Sequence, residues 1–170
     1  AGLMAGEIGD GAIVVPGVAP HHVRQVLELV ADGCRSAGRN PSGLRSVLWV
    51  ACALGDEQEA WEDVRPWVAS ILRHPLAFST SPEVEAAREQ IREEYDFSHH
   101  MSRDSDHGQI LPVEVLRDFA IAGTDDQVAD QLREVAALGV DEIGLVLMGR
   151  SGPLDQAARI RAVVDGAWQR

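Results

Sequence analysis

The chain has 170 residues, with 15 arginines, no lysine and 27 acidic residues, for a formal charge of −12. That is one domain's worth of chain, and 45% hydrophobic with 25% charged residues is a globular composition, which excludes a disordered tail, a collagenous repeat and a disulfide-built miniprotein. So acidic a chain repels phosphate backbones and anionic bilayers, which argues against nucleic acid and membrane surfaces as partners. The absence of lysine removes Schiff-base chemistry and the Walker-type phosphate lysine. The longest apolar run, Val47 to Leu54, is far shorter than the roughly 18 residues of a membrane span. The opening AGLMAGEIGDG lacks the layout of a secretory signal, and its start without an initiator Met reads as interrupted. Cys34 and Cys52 fall in apolar patterns where reduced thiols pack as small hydrophobes, which predicts a cytoplasmic protein without disulfides.

In chain order, Ala12 to Val15 reads as a buried strand left through Pro16-Gly17. Pro20 opens an amphipathic helix carrying Val23, Val26, Leu27, Val30 and Cys34, which stops at Gly38. Val47 to Leu54 shows no polar alternation, as a parallel strand covered on both faces would. Asp56 and Glu59 start a helix expected to kink or restart at Pro66, and Ser81-Pro82 starts another whose Glu and Arg face is largely solvated. Residues 96 to 111, DFSHHMSRDSDHGQIL, are polar and unperiodic and predict a long loop. Pro112 opens a short helix through Arg117. Thr124 and Gln127 then make a capping box for a helix ending at Gly139. Ile143 to Met148 is a third strand, and Gly149 to Pro153 turns into a last helix bearing Ala157, Ile160, Val163, Val164 and Trp168. Strands alternating with helices predict an α/β fold with a parallel sheet, either doubly wound or part of a barrel.

AGEIGDGAIV at 5 to 14, SAGRNP at 36 to 41 and above all FAIAGTDDQVADQLREVAALGVDEIGLVLMG at 119 to 149 resemble the bacterial-luciferase-like superfamily. The similarity is to its coenzyme F420-dependent, methylenetetrahydromethanopterin-reductase-like branch, and it spans nearly the whole chain, most loosely at residues 75 to 111. The resemblance implies a (βα)8 TIM barrel of which these are strands six to eight, with a helical and loop insertion after strand seven. It also implies hydride transfer between F420, or alternatively FMN, and a small organic substrate. A closed barrel takes about 250 residues. The chain is therefore expected to be one partial-barrel domain, completed by an absent N-terminal half or by a second copy in a homodimer. The alternative is a non-catalytic half barrel that self-associates to cover its open edges.

Barrel chemistry gathers at the C-terminal ends of strands, which singles out Val15, Cys52 and Met148. Each is either packing at the mouth or an apolar wall for a deazaflavin ring. Arg150, Ser151 and Gly152 lie between a strand end and a helix start, where a guanidinium and free N–H groups suit a phosphate or carboxylate, although plain turn chemistry also places them there. His99, His100 and His107, among Asp96, Asp104 and Asp106, are the densest polar cluster; they read either as a disordered, solvated loop or, as the resemblance places them over the active-site mouth, as candidate substrate-facing or proton-handling residues. Their spacing is no metal-ligand signature, so no metal is expected.

Overall fold

The computed structural model describes residues 1–168, except the side chains of 167 and 168. Trp168 on the last helix therefore lies outside the described side chains. The elements in order are α1 (Gly2–Ile8), β1 (Gly11–Val14), α2 (Pro20–Ser36), β2 (Arg45–Leu54), α3 (Glu57–Leu72), α4 (Pro82–Glu94), α5 (Asp106–Gln109), α6 (Val113–Phe119), β3 (Ala120–Gly123), α7 (Asp125–Ala136), β4 (Glu142–Leu147) and α8 (Pro153–Trp168).

All pairings are parallel, and β2 bonds every other strand. One edge of β2 is shared by β1, along Arg45 to Leu48, and by β3, along Ala51 to Leu54, while the other edge takes β4. The strand β3 is a correction to the sequence reading, which had three strands. Its four residues follow α6 directly and are too short to show a period of their own.

Side chains alternate between the two faces of the sheet. Leu48, Val50, Cys52 and Leu54 join Val23, Val26 and Val30 of α2, Leu132 of α7 and Ile160 of α8 in one core. Each large apolar side chain sealed there contributes about 1.5–3 kcal/mol. Ala51, Ala53, Ala120 and Ala122 face the other way, where α3, α4 and α6 cover them with Trp61, Val64, Ile91, Leu116 and Phe119. That cover reaches only the C-terminal half of the sheet: on the same face Ile13 is 71% and Trp49 45% exposed.

The helix starts follow the caps written in the sequence. Thr124 and Gln127 form the reciprocal capping box of α7, Ser81 accepts from the Val84 N–H, and Asp56 accepts from Gln58 and Glu59. The helix does not restart at Pro66, since α3 is one helix through it. The α1 and α2 backbones touch: a Cβ on Gly33 would stand 2.0 Å from the Leu3 carbonyl, and one on Gly6 2.0 Å from that of Val30. The chain entering β4 is clamped to β2 by Asp141, whose carboxylate accepts from the Ser46 N–H (2.7 Å) and hydroxyl (2.9 Å).

Candidate functional site at the strand ends

Because all strands run one way, their C-terminal ends open on one side of the molecule, followed by Val15, Gly55, Thr124 and Met148. Val15 is half-buried and lines an open apolar groove of about 260 Å³ with Ile13, Pro16, Leu76 and Phe78. Met148 is half-buried against the α3 side of the core. Cys52 departs from the sequence expectation. Its side chain lies on the face roofed by α2, α7 and α8 and is fully buried, so it offers no surface to a ring. The unalternating run around it gives no hint of which face each residue takes.

The turn after β4 is built around one buried carboxylate. Asp63 of α3, its side chain 4% exposed, accepts from the Arg150 backbone N–H and Nε, both at 3.1 Å, and pairs with Arg103 Nε at 3.3 Å. Arg103 also donates through Nη2 to the Met148 carbonyl (2.6 Å). The Arg150 guanidinium, itself half-exposed, holds its proton more tightly because of Asp63. Ser151 Oγ accepts from Gln156 Nε2 (2.8 Å), and the fully buried Gln156 amide also bonds both the N–H and the C=O of Leu54, each at 2.9 Å. That amide lies so close to Gly149 that a Cβ there would stand 2.1 Å from it. Gly152, with φ +87, completes the turn into α8.

Residues 96–111 are not the structureless loop expected, because a 3-10 turn at Phe97–His99 and α5 lie within them. All three candidate histidines engage the same two residues through Nδ1. His99 bonds the Asp96 carboxylate (2.7 Å), His100 the Tyr95 hydroxyl, and His107 accepts from the Asp96 N–H (3.3 Å). Hydrogen bonds from His99 and Ser98 hold the Asp96 carboxyl down to about 2, and Asp96 in turn raises His99. His99 and His100 are exposed, whereas His107 is 1% exposed and stacks 4.2 Å from the Tyr95 ring. Burial lowers its pKa. His107 is thus a buried anchor of the segment, a correction to its expected place among proton-handling residues over the mouth. Among the described residues no group of three or more His, Cys, Asp or Glu could hold a metal ion.

Comparison with known proteins places this architecture. Residues 3–142 match the family described as luciferase-like monooxygenase. The chain belongs to that family. Among solved structures, this luciferase-like chain superposes on an F420-dependent secondary alcohol dehydrogenase solved with an F420-acetone adduct (TM-score 0.72, 15% identity), covering 98% of this chain and 45% of that one. It also superposes on the coenzyme F420-dependent tetrahydromethanopterin reductase of Methanopyrus kandleri (0.62, 22%), with 93% and 44% covered. A riboflavin lyase with modified FMN and riboflavin aligns at 0.54 and 16%, with 97% and 40% covered. The chain therefore spans less than half the length of these structures, and what they share with it at these identities is the fold. No protein of curated function matches the sequence.

Three residues of the luciferase-like chain's strand-end region escape a reading of the sequence: Asp63, Arg103 and Gln156. Arg103 is the sole arginine in residues 96 to 111, the one signal that was available. The others are ordinary helix residues until their long-range partners are known. For Cys52, burial pushes the thiol up to about 12. Native protein should therefore alkylate at Cys52 only as fast as it unfolds, and peptide mapping after iodoacetamide with and without denaturant checks this. Among the described residues no helix is long and apolar enough to cross a membrane.

Proposed function

We propose that this chain is the strand-six-to-eight portion of an oxidoreductase barrel that uses F420, or alternatively FMN, to move hydride to or from a small organic substrate in the cytoplasm. What carries the reading is the family match over residues 3–142, on a parallel sheet where half-buried Met148 at the end of β4 lies beside the cations Arg103 and Arg150, and half-buried Val15 follows β1. Those residues fit an apolar ring edge and an anionic group, whereas Cys52 does not fit a contact role. When bound, such a cofactor supplies the redox chemistry, and the protein supplies placement and a dry site.

In this reading Val15 and Met148 exclude water from the ring side. Arg150, with the Ser151 and Gly152 backbone, holds an anionic group of the substrate or the cofactor tail. His99 and His100 are the exposed imidazoles able to hand over a proton at Nε2, and Asp96 keeps His99 charged to higher pH.

Titration of oxidised F420 and of FMN, followed by cofactor fluorescence, tests this. Saturable binding of one of them is expected, weakened about tenfold (about 1.4 kcal/mol) by Arg150→Ala if one charge-assisted contact is lost. Absence of binding by the chain alone and by the chain joined to a family N-terminal half would refute it. A second reading, a non-catalytic half barrel that self-associates, is favoured by the open edges of β1 and β4 and by exposed Ile13 and Trp49. That reading predicts a dimer by sedimentation and no cofactor affinity.

A further inference from the structure

The segment from Phe97 to Gln109 lies across the end of β4 like a strap, and long-range polar contacts fasten it there. Arg103 reaches out of it to the Met148 carbonyl at 2.6 Å and to Asp63 at 3.3 Å. At its roots, His107 accepts from the Asp96 N–H at 3.3 Å and stacks on Tyr95. Arg73 lies over both the Tyr95 ring (5.2 Å) and the Phe97 ring (5.1 Å). Between these anchors the strap is exposed and strained: Phe97 is 69% exposed and Met101 sits at φ +61, a left-handed conformation rare for a residue with a side chain.

The same Asp63 oxygen that meets Arg103 also accepts from Arg150 Nε at 3.1 Å, while its other oxygen takes the Arg150 backbone N–H. Two guanidinium groups from segments far apart in sequence are thereby held side by side at the strand ends. Left to themselves they would repel each other. Asp63 is the group that makes their closeness tolerable, and its burial in α3 fixes where they stand. Arg150 spends Nε on this contact and has Glu59 only at 3.7 Å from Nη1. An incoming anion would take the half-exposed outer edge by displacing the loosely held Glu59, with Glu62 the other carboxylate acting on this guanidinium.

We propose that Asp63 is a positioning residue that fastens the 97–109 strap and the Arg150 turn as one unit, so that Arg150 presents its guanidinium to an anionic group only while the strap is docked. The ligand part of this rests on the reading of Arg150 as the anion-binding residue. The strap brings a second cation, Arg103, to the same place, so the chemical class recognised is a compact oxyanion such as a phosphoryl or carboxylate group.

Amide hydrogen exchange by mass spectrometry on the full chain, together with calorimetric titration of inorganic phosphate, tests it. Asp63→Asn should speed exchange at least tenfold in both 97–109 and 148–152, leave α7 and β1 as they were, and weaken phosphate about tenfold. Arg103→Ala, at a half-exposed site that does not threaten folding, should speed exchange in 97–109 and weaken phosphate several-fold, with Arg103→Lys restoring little because one ammonium cannot reproduce the two-point contact. Unchanged strap exchange in Arg103→Ala would overturn the proposal even if Asp63→Asn fails to fold. Faster exchange with unaltered phosphate affinity would reduce Asp63 to a structural role and overturn positioning. No phosphate binding by the parent chain would instead sink the anion reading of Arg150, and the exchange data would still report whether the strap is fastened.

Discussion

Replacing His22 with leucine is expected to leave the protein as stable or more stable at neutral pH and to remove much of its sensitivity to acid. His22 stands in the first turn of α2 with 0% exposure, its ring 4.5 Å from Phe78 and 5.3 Å from Phe119, and neither nitrogen has a hydrogen-bond partner. Burial, with His21 adding repulsion, lowers its pKa to about 4, and the nearby Pro16 carbonyl offsets this only weakly. An unfolded histidine titrates near 6.5. Between those two values the unfolded chain takes up a proton that the folded chain refuses, so stability present above pH 6.5 is lost as pH falls toward 4. The loss is about 3 kcal/mol at this site. Urea melts of the parent and His22→Leu at pH 7 and pH 4.5 check this through the difference between the two proteins, which cancels the other titrating groups. Equal pH dependence in both would show that the ring is protonated in the fold.

Gln156→Leu should be the costliest single change at the strand ends. The wild-type amide bonds the Leu54 N–H and C=O and Ser151 Oγ from a site 1% exposed. Leucine fills similar space but leaves the Leu54 N–H buried without an acceptor. An unsatisfied buried donor costs about 1–3 kcal/mol, and each lost bond adds about 1 kcal/mol net. A total of about 3 kcal/mol lowers the melting temperature by roughly 6–12 °C in a chain this long. Calorimetry reads the change, and Gln156→Glu separates geometry from chemistry, since it keeps the acceptor for Leu54 N–H and loses the donor. A melting temperature unmoved by the leucine variant would mean that α8 is not held to β2 through this amide.

Much of the fold was legible because its signals are local. Pro20, Asp56, Ser81 and Thr124 announce helix starts within a few residues of themselves, and the Val47 to Leu54 run is long enough to be a strand by itself. The misses have a common physical cause, which is dependence on distant partners. Ala120 to Gly123 becomes a strand by pairing with Ala51 to Leu54, the part of β2 that runs on beyond β1. The order of residues 97–109 comes from Asp63, Tyr95 and Arg73 in other elements. Cys52 falls on the roofed face, and nothing in a run without alternation reveals that choice. At the site itself, Arg150 was visible as a cation in a turn, whereas the carboxylate that aims it was not.

The clamp between Ser46 and Asp141 joins residues 95 positions apart, which has a consequence for biosynthesis. The βαβ unit of β1, α2 and β2 can assemble as soon as it leaves the ribosome. The second edge of β2 must then wait for β4. At about 5–20 residues per second, that wait is on the order of 5–20 s for each nascent chain. Throughout it, Leu48, Val50 and Cys52 lack the roof that α7 and α8 later provide. The nascent chain in that interval is the form most exposed to chaperone capture and to pairing with a neighbour on the same polysome.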